Sequence, residues 1–377
     1  MKHIHVISFQ NPTPPDYGGL IDVYYKLKAF HDAGWDISLH TYSYKGRERV
    51  APPFFTENDR VFFYRRHMGW RLNMSPVPYI VNSRRDDSLL DNLLADSSPI
   101  LFEGLHTTSL LDNQLLRSRI KIVRTHNVEH DYYAGLAAAE KSILKKSYYS
   151  IESLRLKKYE KILAHADIVA AISSGDKDYF EKKFPDNRVM LLPCFYDDSE
   201  PEVLPGSGDY VLYQGNLSVP ENEQAAMRIC RDIAPRIGKI KFIIAGAGPS
   251  LRLRNMVEAT QNVRLMENLP AAEFNKVLTD ARVNLLITEQ ATGVKLKLLN
   301  AMCRGAHIVA NSKMMESTGL RDYVEVADSA GDICRAIEKK MGEPFTNIRR
   351  LPDFYNNLHN IRRLESYMEM RQDFPTQ

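Results

Sequence analysis

The sequence contains few cysteines, and none of them has the spacing of a metal or redox ligand. Four occur in 377 residues, and no two of them form a CxxC pair. Metal sites need clustered ligands, so scattered thiols do not support one. We expect no bound metal or cofactor, and we expect the cysteines to act as small buried hydrophobes. They are Cys194, Cys230, Cys303 and Cys334.

A long apolar segment and a strong net charge are also missing. Met1 and Lys2 lead directly into a short strand-like run, and no stretch has the roughly 20 apolar residues that a bilayer-spanning helix requires. The formal net charge is only +3, whereas a nucleic-acid-binding domain is usually strongly basic. We therefore expect a cytoplasmic protein that does not bind nucleic acid.

The apolar pattern predicts an α/β domain in the first half of the chain. A domain usually has roughly 100–200 residues, so a chain of 377 residues suggests two domains. Residues 3–8 are strand-like, residues 20–30 repeat apolar side chains at helical spacing, and Gly34 then supplies a helix stop signal. We assign residues 1–200 to an N-terminal Rossmann-like domain. Its further strands are predicted at 35–39, 100–102, 120–123 and 167–172.

A second alternation follows a loose connection near residue 200 that is rich in proline, glycine and acidic residues. Residues 205–352 are therefore predicted to form a second Rossmann-like domain with a doubly wound parallel sheet. The last segment, 354–377, begins with an amphipathic helix that we expect to pack back on the N-terminal domain. The strands of the second domain are predicted at 210–214, 241–245, 262–266, 283–288 and 307–310.

Ligands of parallel α/β sheets bind beyond the carboxyl ends of the strands, so we expect the functional residues at these positions. After the first strand, Gly18 and Gly19 open a helix, where backbone N–H groups can approach an anion. A flexible loop with a helix cap is the alternative interpretation. Later strand ends carry polar side chains that can hydrogen-bond a sugar hydroxyl or polarise a reacting group, or simply satisfy the local backbone. They are Glu103, His106, His126, Asn127 and His130.

The second domain has its own candidate residues at strand ends. Gly215 and Asn216 follow its first predicted strand, and a later strand leads into a loop and helix that contain Gly293, Lys295 and Lys297. Helix N-terminal N–H groups and an ammonium group stabilise the charge of a departing diphosphate, although solvated lysines give the same pattern. The run at 246–251 lacks the third glycine of a dinucleotide fingerprint, which disfavours an NAD enzyme.

Taken in order, these motifs resemble the retaining GT-B glycosyltransferases of the family 4 type, the glycosyl transferases group 1. Asp16-Tyr17-Gly18-Gly19 is similar to the family's glycine loop, and residues 213–217, 244–249 and 262–266 are similar to strands of its nucleotide-binding domain. The resemblance implies an α/β fold with two domains facing across a cleft. It also implies a nucleotide-sugar donor as co-substrate, transfer with retention at the anomeric carbon, and no metal.

Residues 292–305 resemble the family's donor motif, in which two glutamates stand eight positions apart. Thr292 and Asn300 occupy those positions here. The resemblance implies that Asn300 orients the ribose through its amide, which can both donate and accept. A subgroup with the pattern Gly-Val-Lys-Leu-Lys also lacks the first glutamate.

The resemblance also implies roles for the residues around this motif. Lys295 is expected to neutralise the diphosphate with Lys297 as helper, and His126 is expected to contact the transferring sugar. The remaining positions are expected to line the donor site. They are Gly18, Gly19, Gly215, Asn216, Thr292, Gly293 and Val294.

Two segments predict a basic surface, which helps to indicate what kind of acceptor the protein uses. Residues 60–85 interleave arginines with aromatic residues and contain no acidic residue, and residues 140–161 carry an excess of basic residues on a predicted helix. Such stretches bind anionic lipid headgroups, or they are solvated helix faces. The first interpretation predicts a peripheral protein at the inner face of the plasma membrane. We expect a saccharide or lipid-linked saccharide acceptor, in the synthesis of cell-surface polysaccharide or lipopolysaccharide.

Three functions are therefore compatible with the sequence. The first is a hexosyltransferase that uses a UDP- or GDP-sugar. The second is a degenerate GT-B protein that binds the sugar nucleotide without turnover, which the departures at Thr292 and Asn300 would explain. The third is a sugar-nucleotide epimerase, which shares the two-domain fold but needs acidic and histidine groups placed for proton abstraction.

Overall fold

The computed structural model describes residues 2–43, 48–140, 142–199, 201, 203–289, 296–316, 318–346 and 351–372. The chain divides into two compact units. Unit 1 contains Met1–Tyr196 and Asp353–Gln377, and unit 2 contains Asp197–Pro352. Each unit is built on a parallel sheet with helical connections, so the predicted α/β class is confirmed.

Seven parallel strands form the sheet of unit 1. They are β1 (Lys2–Ser8), β2 (Trp35–Ser43), β3 (Arg60–Arg65), β4 (Ile100–Glu103), β5 (Lys121–Arg124), β6 (Ile168–Ala171) and β7 (Arg188–Leu191). Their order across the sheet is β3-β2-β1-β4-β5-β6-β7, so the direction of winding reverses between β1 and β4. Ligands of doubly wound sheets bind beside such a reversal, at the carboxyl ends of the strands.

Apolar layers cover both faces of this sheet. One layer includes side chains of α1 (Gly18–Asp32) and of the C-terminal helix α7 (Asn357–Gln372). The other includes side chains of α3 (Asp87–Leu93), α5 (Ile143–Tyr159) and α6 (Ser174–Lys183). The helices of unit 1 are α1 (Gly18–Asp32), α2 (Tyr79–Asn82), α3 (Asp87–Leu93), α4 (Glu129–Ala139), α5 (Ile143–Tyr159), α6 (Ser174–Lys183) and α7 (Asn357–Gln372). Because both faces are buried, the inner strands β4 and β6 are nearly continuous apolar runs. Strands β1 and β2 alternate apolar with polar residues, and most of their polar side chains are buried as well.

The C-terminal helix α7 belongs to unit 1 although it follows unit 2 in the sequence. Its Ile361, Leu364 and Met368 recur at helical spacing and are buried in the same layer as α1. Trp35 also donates its indole N–H to Glu365 on this helix, at 2.5 Å. Apolar packing and a polar contact therefore both fix the helix on the first unit.

Unit 2 repeats the same construction with six parallel strands. They are β8 (Tyr210–Gln214), β9 (Lys241–Gly246), β10 (Val263–Glu267), β11 (Val283–Leu286), β12 (His307–Ala310) and β13 (Glu325–Val326), in the order β10-β9-β8-β11-β12-β13. Its helices are α8 (Pro220–Arg228), α9 (Leu251–Glu258), α10 (Ala271–Asp280), α11 (Leu296–Arg304), α12 (Ser312–Met315) and α13 (Ala330–Gly342). The winding reverses between β8 and β11, so the carboxyl ends of these strands are the place for a ligand.

The structure adds elements that the sequence pattern does not predict. Strand β3 lies within the segment interpreted only as a basic and aromatic surface, and β7 and β13 are short strands at sheet edges. Arg84 is not part of that surface, because its side chain is buried. It donates to the carbonyl of Phe9 at 2.9 Å and to that of Ile80 at 2.5 Å. No helix in the described part of the chain is long and apolar enough to cross a bilayer.

The four cysteines are free thiols. Cys194, Cys230 and Cys334 are buried, as expected for small hydrophobes, whereas Cys303 is partly exposed. Burial raises the pKa of the Cys194 thiol well above its ordinary value. A thiol in this state is a poor nucleophile and a poor metal ligand.

Candidate functional site

The first cluster of candidate residues lies at the carboxyl ends of β1, β4 and β5 in unit 1. Glu103 is the last residue of β4, and His126 follows β5 by two residues. Phe9, which follows β1, contacts both histidine rings: its ring centroid lies 5.4 Å from that of His106 and 5.5 Å from that of His126. Parallel strands that end at one edge thus bring together residues that are distant in sequence.

Gly104 allows the two histidines to approach this edge. Its φ of +71° lies in the left-handed region that favours glycine. A Cβ at this position would lie 2.7 Å from Nδ1 of His106 and 3.3 Å from Cδ2 of His126. A side chain here would therefore strain the backbone and displace both rings.

A buried ion pair holds the imidazole of His126. Lys26 of α1 donates to both carboxylate oxygens of Glu103, at 2.8 and 3.0 Å, and Nε2 of His126 lies 3.1 Å from Oε2 of the same carboxylate. Lys26 and Glu103 are fully buried, whereas His126 is 12% exposed. A carboxylate only accepts, so the ring nitrogen facing it carries a proton, and Nδ1 is the ring nitrogen left for a substrate.

Asp22 extends this network beneath the histidine. It accepts from Lys26 at 3.1 Å and from the backbone N–H of Phe195 at 2.7 Å, and it lies 3.5 Å from the guanidinium of Arg124. Burial alone would raise the pKa of the Asp22 carboxyl, but Arg124 and Lys26 outweigh it and lower that pKa. Burial is likewise outweighed at Glu103, whose pKa is lowered by Lys26 and His126. Both acids are therefore carboxylates at neutral pH.

Asp22, Glu103 and His126 are close enough together to share a metal ion. The ammonium of Lys26 lies within 3.1 Å of Asp22 and 2.8 Å of Glu103, so it already supplies a positive charge to both carboxylates. A divalent cation would have to displace that ammonium, and the two charges would repel each other at this distance. The donor set therefore fits the chain's own lysine better than it fits a metal.

Gly18 and Gly19 form the first turn of α1. A Cβ at Gly19 would lie 3.1 Å from the ring of Phe9, so this turn adjoins the histidine cluster. The N-terminal N–H groups of a helix have no partner within the helix, and the preceding Tyr17 provides no side-chain cap. The geometry suits an anion or a hydroxyl beside the cluster.

The other predicted residues of unit 1 have different surroundings. His106 belongs to the cluster, and its buried Nδ1 has no hydrogen-bond partner among the described residues. Asn127 instead hydrogen-bonds the carboxyl of Glu129. His130 lies on α4 beside Glu160 and Asp131, 3.3 Å from each carboxylate, and does not join the cluster around His126.

Sequence reasoning missed the residues that support the histidine. Lys26 and Asp22 lie on α1, where two opposite charges four residues apart suggest an exposed ion pair. Arg124 is the last residue of β5, and the apolar residues before it predict a strand but no role for the arginine. Glu129 was also missed, although burial raises the pKa of its carboxyl to about 7. The only signal in the sequence was the position of Arg124 and Glu129 at the carboxyl end of β5.

A second cluster lies at the carboxyl end of β8 in unit 2. Nζ of Lys297 donates to the side-chain oxygen of Asn222 at 3.1 Å and stands 5.4 Å from the centre of the Tyr213 ring. Asn222 in turn donates to the carbonyl of Asn216 at 3.0 Å. The first turn of α11, the start of α8 and the loop after β8 are thereby joined through Lys297.

Two glycines let the backbone approach closely at this edge. A Cβ on Gly246, the last residue of β9, would collide with the carbonyl oxygen of Gly215, and a Cβ on Gly215 would lie 3.0 Å from Asn222. A side chain at Gly246 would require the loop after β8 to move, and one at Gly215 would require the side chain of Asn222 on α8 to shift. Bare backbone of this kind is what close contact with a phosphate or a nucleoside requires.

The donor motif is only partly described. Thr292, Gly293, Val294 and Lys295 lie outside the described residues. Asn300 lies on α11, one turn after Lys297, and is partly exposed. Residues three apart on a helix are neighbours on its surface, so Asn300 belongs to the same side of α11 as Lys297.

These features define a class of protein. Two doubly wound α/β units, each with glycines and polar or charged groups at the carboxyl ends of parallel strands, form the architecture that the GT-B fold combines. Residues 208–340 match the sequence model of the family Glycosyl transferases group 1. The chain is also 27% identical over 340 residues, 85% of each protein, to an uncharacterized 44.6 kDa protein in the cps region of Klebsiella pneumoniae.

Solved structures agree over the whole chain. Sucrose-phosphate synthase from Thermosynechococcus elongatus is 13% identical, with a TM-score of 0.62 over 99% of this chain and 98% of that one. A trehalose-phosphate synthase from Burkholderia xenovorans is 10% identical, with a TM-score of 0.61 over 99% of both chains. S. aureus TarM is 11% identical, with a TM-score of 0.59 over 99% of both. The predicted GT-B fold is confirmed, and the chain is a glycosyltransferase.

Proposed function

We propose that the protein transfers a hexose from a UDP- or GDP-sugar to a saccharide or lipid-linked saccharide, with retention at the anomeric carbon, as a family 4 type enzyme of cell-surface polysaccharide or lipopolysaccharide synthesis. The observation that carries the proposal is the imidazole of His126, which is held by the Glu103 carboxylate 3.1 Å away and keeps one ring nitrogen for a substrate. This arrangement suits a hydrogen bond to a sugar hydroxyl.

Unit 2 is proposed to bind the donor nucleotide. Lys297 supplies an ammonium group beside the bare backbone of Gly215, and Lys295 adds a second charge in this proposal. Positive charge at a departing diphosphate lowers the barrier because it acts where negative charge develops. Asn300 is proposed to orient the ribose with its amide, and Gly293 and Val294 are proposed to line the same site.

Unit 1 is proposed to bind the sugar and the acceptor. His126 contacts the transferring sugar, Gly18 and Gly19 offer backbone N–H groups to the donor, and His106 offers a buried ring nitrogen to an acceptor hydroxyl. The bond between the anomeric carbon and the diphosphate breaks as the acceptor oxygen attacks from the same face. The acceptor proton passes to the leaving phosphate oxygen, so the protein need not supply a separate base.

The similar proteins support this choice of substrates. The Burkholderia xenovorans protein is described as UDP-forming and in complex with glucose-6-phosphate, and the S. aureus TarM variant was solved with UDP. The similar protein of Klebsiella pneumoniae belongs to a cps region, which favours a polysaccharide product. We propose UDP- and GDP-sugars as the first donors to test.

The first experiment measures the melting temperature with UDP and with GDP. A nucleotide at about 100 times its dissociation constant adds about 2.7 kcal/mol of stability, which a thermal shift detects. Lys297→Met keeps the aliphatic stem over Tyr213 but removes the charge, and we expect about tenfold weaker binding of the nucleotide. Lys276→Met is the matched control, because this exposed lysine of α10 pairs only with Asp280 in the described contacts.

The second experiment follows the sugar nucleotide with and without a saccharide acceptor. Transfer that depends on the acceptor supports the proposal. Binding without turnover would instead support the degenerate protein, and isomerisation without acceptor would support the epimerase. If neither nucleotide raises the melting temperature and no sugar nucleotide is consumed, the proposed function is wrong.

A further inference from the structure

The outward face of α5 is apolar although it is exposed. Ile143 and Leu144 are 81% and 84% exposed, and Ile151 and Leu154 follow on the same side of the helix. The opposite side is buried through Glu152 and Leu156. A surface helix normally points its apolar side chains to the core and its polar ones to water, so here the exposed face is the unusual one.

A neighbouring loop extends this apolar face. Met68, Trp70 and Met74 are exposed, with Trp70 at 70%. Arg155 of α5 donates to the carbonyl of Asn73 at 2.6 Å, which fixes the loop against the helix. Residues 68–74 and the outward side chains of α5 are called the α5 face below.

The charges around the α5 face are almost all positive. Helix α5 contains a single acidic residue, Glu152, which is buried and paired with Arg155 at 2.6 Å. Exposed basic side chains flank the apolar ones on the helix and in the loop. They are Arg71, Lys146, Lys157 and Lys158.

We propose that the α5 face docks unit 1 on the surface of an anionic lipid bilayer. Apolar side chains of the helix and loop enter the boundary between headgroups and acyl chains, and the basic residues meet the lipid phosphates. Trp70 suits this depth because its ring has an apolar body and a polar N–H. Docking in this manner requires no bilayer-spanning helix.

The charge pattern favours a bilayer over a second copy of the chain. Two copies related by a twofold axis would bring the same lysines of α5 close together, and like charges in an apolar interface are repulsive. An anionic bilayer instead neutralises all of these charges at once. Docking would bring a lipid-linked acceptor to the enzyme, although binding to vesicles does not depend on turnover or on the proposed function.

The first test measures binding of the full chain to vesicles of phosphatidylcholine with and without phosphatidylglycerol. We expect binding to the anionic vesicles that weakens as salt rises, because salt screens the lysine–phosphate attraction. Brominated acyl chains are expected to quench the fluorescence of exposed Trp70, whereas buried Trp35 is expected to be unaffected. The quenching should disappear in Trp70→Phe.

Two variants separate the apolar and the charged contributions. Ile143→Ser combined with Leu144→Ser and Leu154→Ser changes only exposed side chains, so the fold should persist, and we expect at least tenfold weaker vesicle binding. Lys157→Glu combined with Lys158→Glu should remove the preference for anionic lipid. The matched control is Leu115→Ser, which alters an exposed leucine elsewhere in unit 1 and should bind like wild type.

Three results would overturn the proposal. Wild type that binds neither kind of vesicle, or serine variants that bind as well as wild type, would show that the α5 face does not dock on lipid. A wild-type dimer that becomes monomeric in the serine variant would assign the face to a second copy. Nucleotide binding and sugar transfer to a water-soluble acceptor are measured in parallel, so failure of docking remains distinguishable from failure of catalysis.

Discussion

Oε2 of Glu103 lies 3.1 Å from Nε2 of His126, and the same carboxylate accepts two hydrogen bonds from Lys26. One buried side chain therefore links the exposed edge of the candidate site to an ion pair in the core of unit 1. A group that serves both purposes is costly to change, because Lys26 would keep its charge after the loss of one of its two carboxylate partners, and Asp22 already faces Arg124 as well.

Glu103→Gln is expected to reduce both stability and activity. The neutral amide cannot compensate the buried ammonium of Lys26 and also orient His126, so we expect the free energy of unfolding to fall by about 3–5 kcal/mol. The turnover number kcat should fall as well, because the imidazole loses its fixed orientation. Denaturant unfolding and acceptor-dependent transfer measure the two effects.

His126→Ala separates catalysis from folding at the same place. This side chain sits at the edge of the network and makes one described hydrogen bond, to Glu103. We expect kcat to fall roughly 100-fold, as it does when one transition-state hydrogen bond is lost, with unfolding changed by only about 1–2 kcal/mol. Normal kcat in this variant would remove His126 from the mechanism.

Lys26→Met is expected to destabilise the protein more at neutral pH than in acid. The folded-state pKa values of Glu103 and Asp22 lie below their unfolded values of 4.5 and 3.8. Lowered pKa values add stability that is present above the unfolded pKa and is lost as pH falls through the folded pKa. The difference in melting temperature between wild type and Lys26→Met should therefore shrink below about pH 4. A difference that stays constant from pH 7 to pH 3 would contradict the assignment of the ion pair.

Glu129 gives the opposite dependence on pH. Burial raises the pKa of its carboxyl from 4.5 to about 7, and Glu160 and Asp176 add repulsion. In the unfolded chain the proton leaves near 4.5, so wild type loses stability as pH rises from there to about 7. Glu129→Gln does not titrate, so its melting temperature should rise relative to that of wild type across that range. At pH 8 its free energy of unfolding should exceed that of wild type by up to about 3 kcal/mol.

The control for this comparison is Glu258→Gln, which changes an exposed residue of α9. Its melting temperature should differ from that of wild type by the same small amount at each pH. If Glu129→Gln behaves in the same way, the carboxyl of Glu129 is ionised in the folded protein and the proposed burial effect is absent.

Much of the fold follows from the sequence because most strands are either short continuous apolar runs, such as β6, or short alternating ones, such as β2. The strands at 210–214 and 307–310 match the prediction at both ends, and residues 3–8 miss β1 by one residue. Strand β3 was missed because the arginines at its two ends, Arg60 and Arg65, suggest a basic surface segment. An edge strand is stabilised by pairing with its neighbour, here β2, and a local sequence pattern carries no information on that pairing.

The candidate site is less accessible to sequence reasoning than the fold. The rule that ligands bind at strand ends points to Glu103 and His126, whose positions follow from β4 and β5. It does not reveal Lys26, because the contact of this residue with Glu103 spans 77 positions and depends on how α1 lies on the sheet. His130 follows the same strand as His126, yet the turn of α4 directs it to Glu160, so nearness in sequence gave no guide to its surroundings.

Gly246→Ala tests whether the close approach of the end of β9 to the loop after β8 is required for nucleotide binding. A Cβ on Gly246 would collide with the carbonyl oxygen of Gly215, and this contact involves backbone that cannot rotate away. We expect the free energy of unfolding to fall by about 1–3 kcal/mol, since overpacking in a close-packed region costs this much. The shift of the loop after β8 should also weaken UDP or GDP binding, measured by thermal shift against nucleotide concentration.

Gly342→Ala is the matched control within the same unit. A Cβ at Gly342, the last residue of α13, would meet no atom within 4 Å, so the variant should be as stable as wild type or slightly more stable. Its nucleotide affinity should be unchanged. If Gly246→Ala also binds nucleotide normally while it loses stability, the close approach at Gly215 serves only the packing of unit 2, and the nucleotide contacts unit 2 elsewhere.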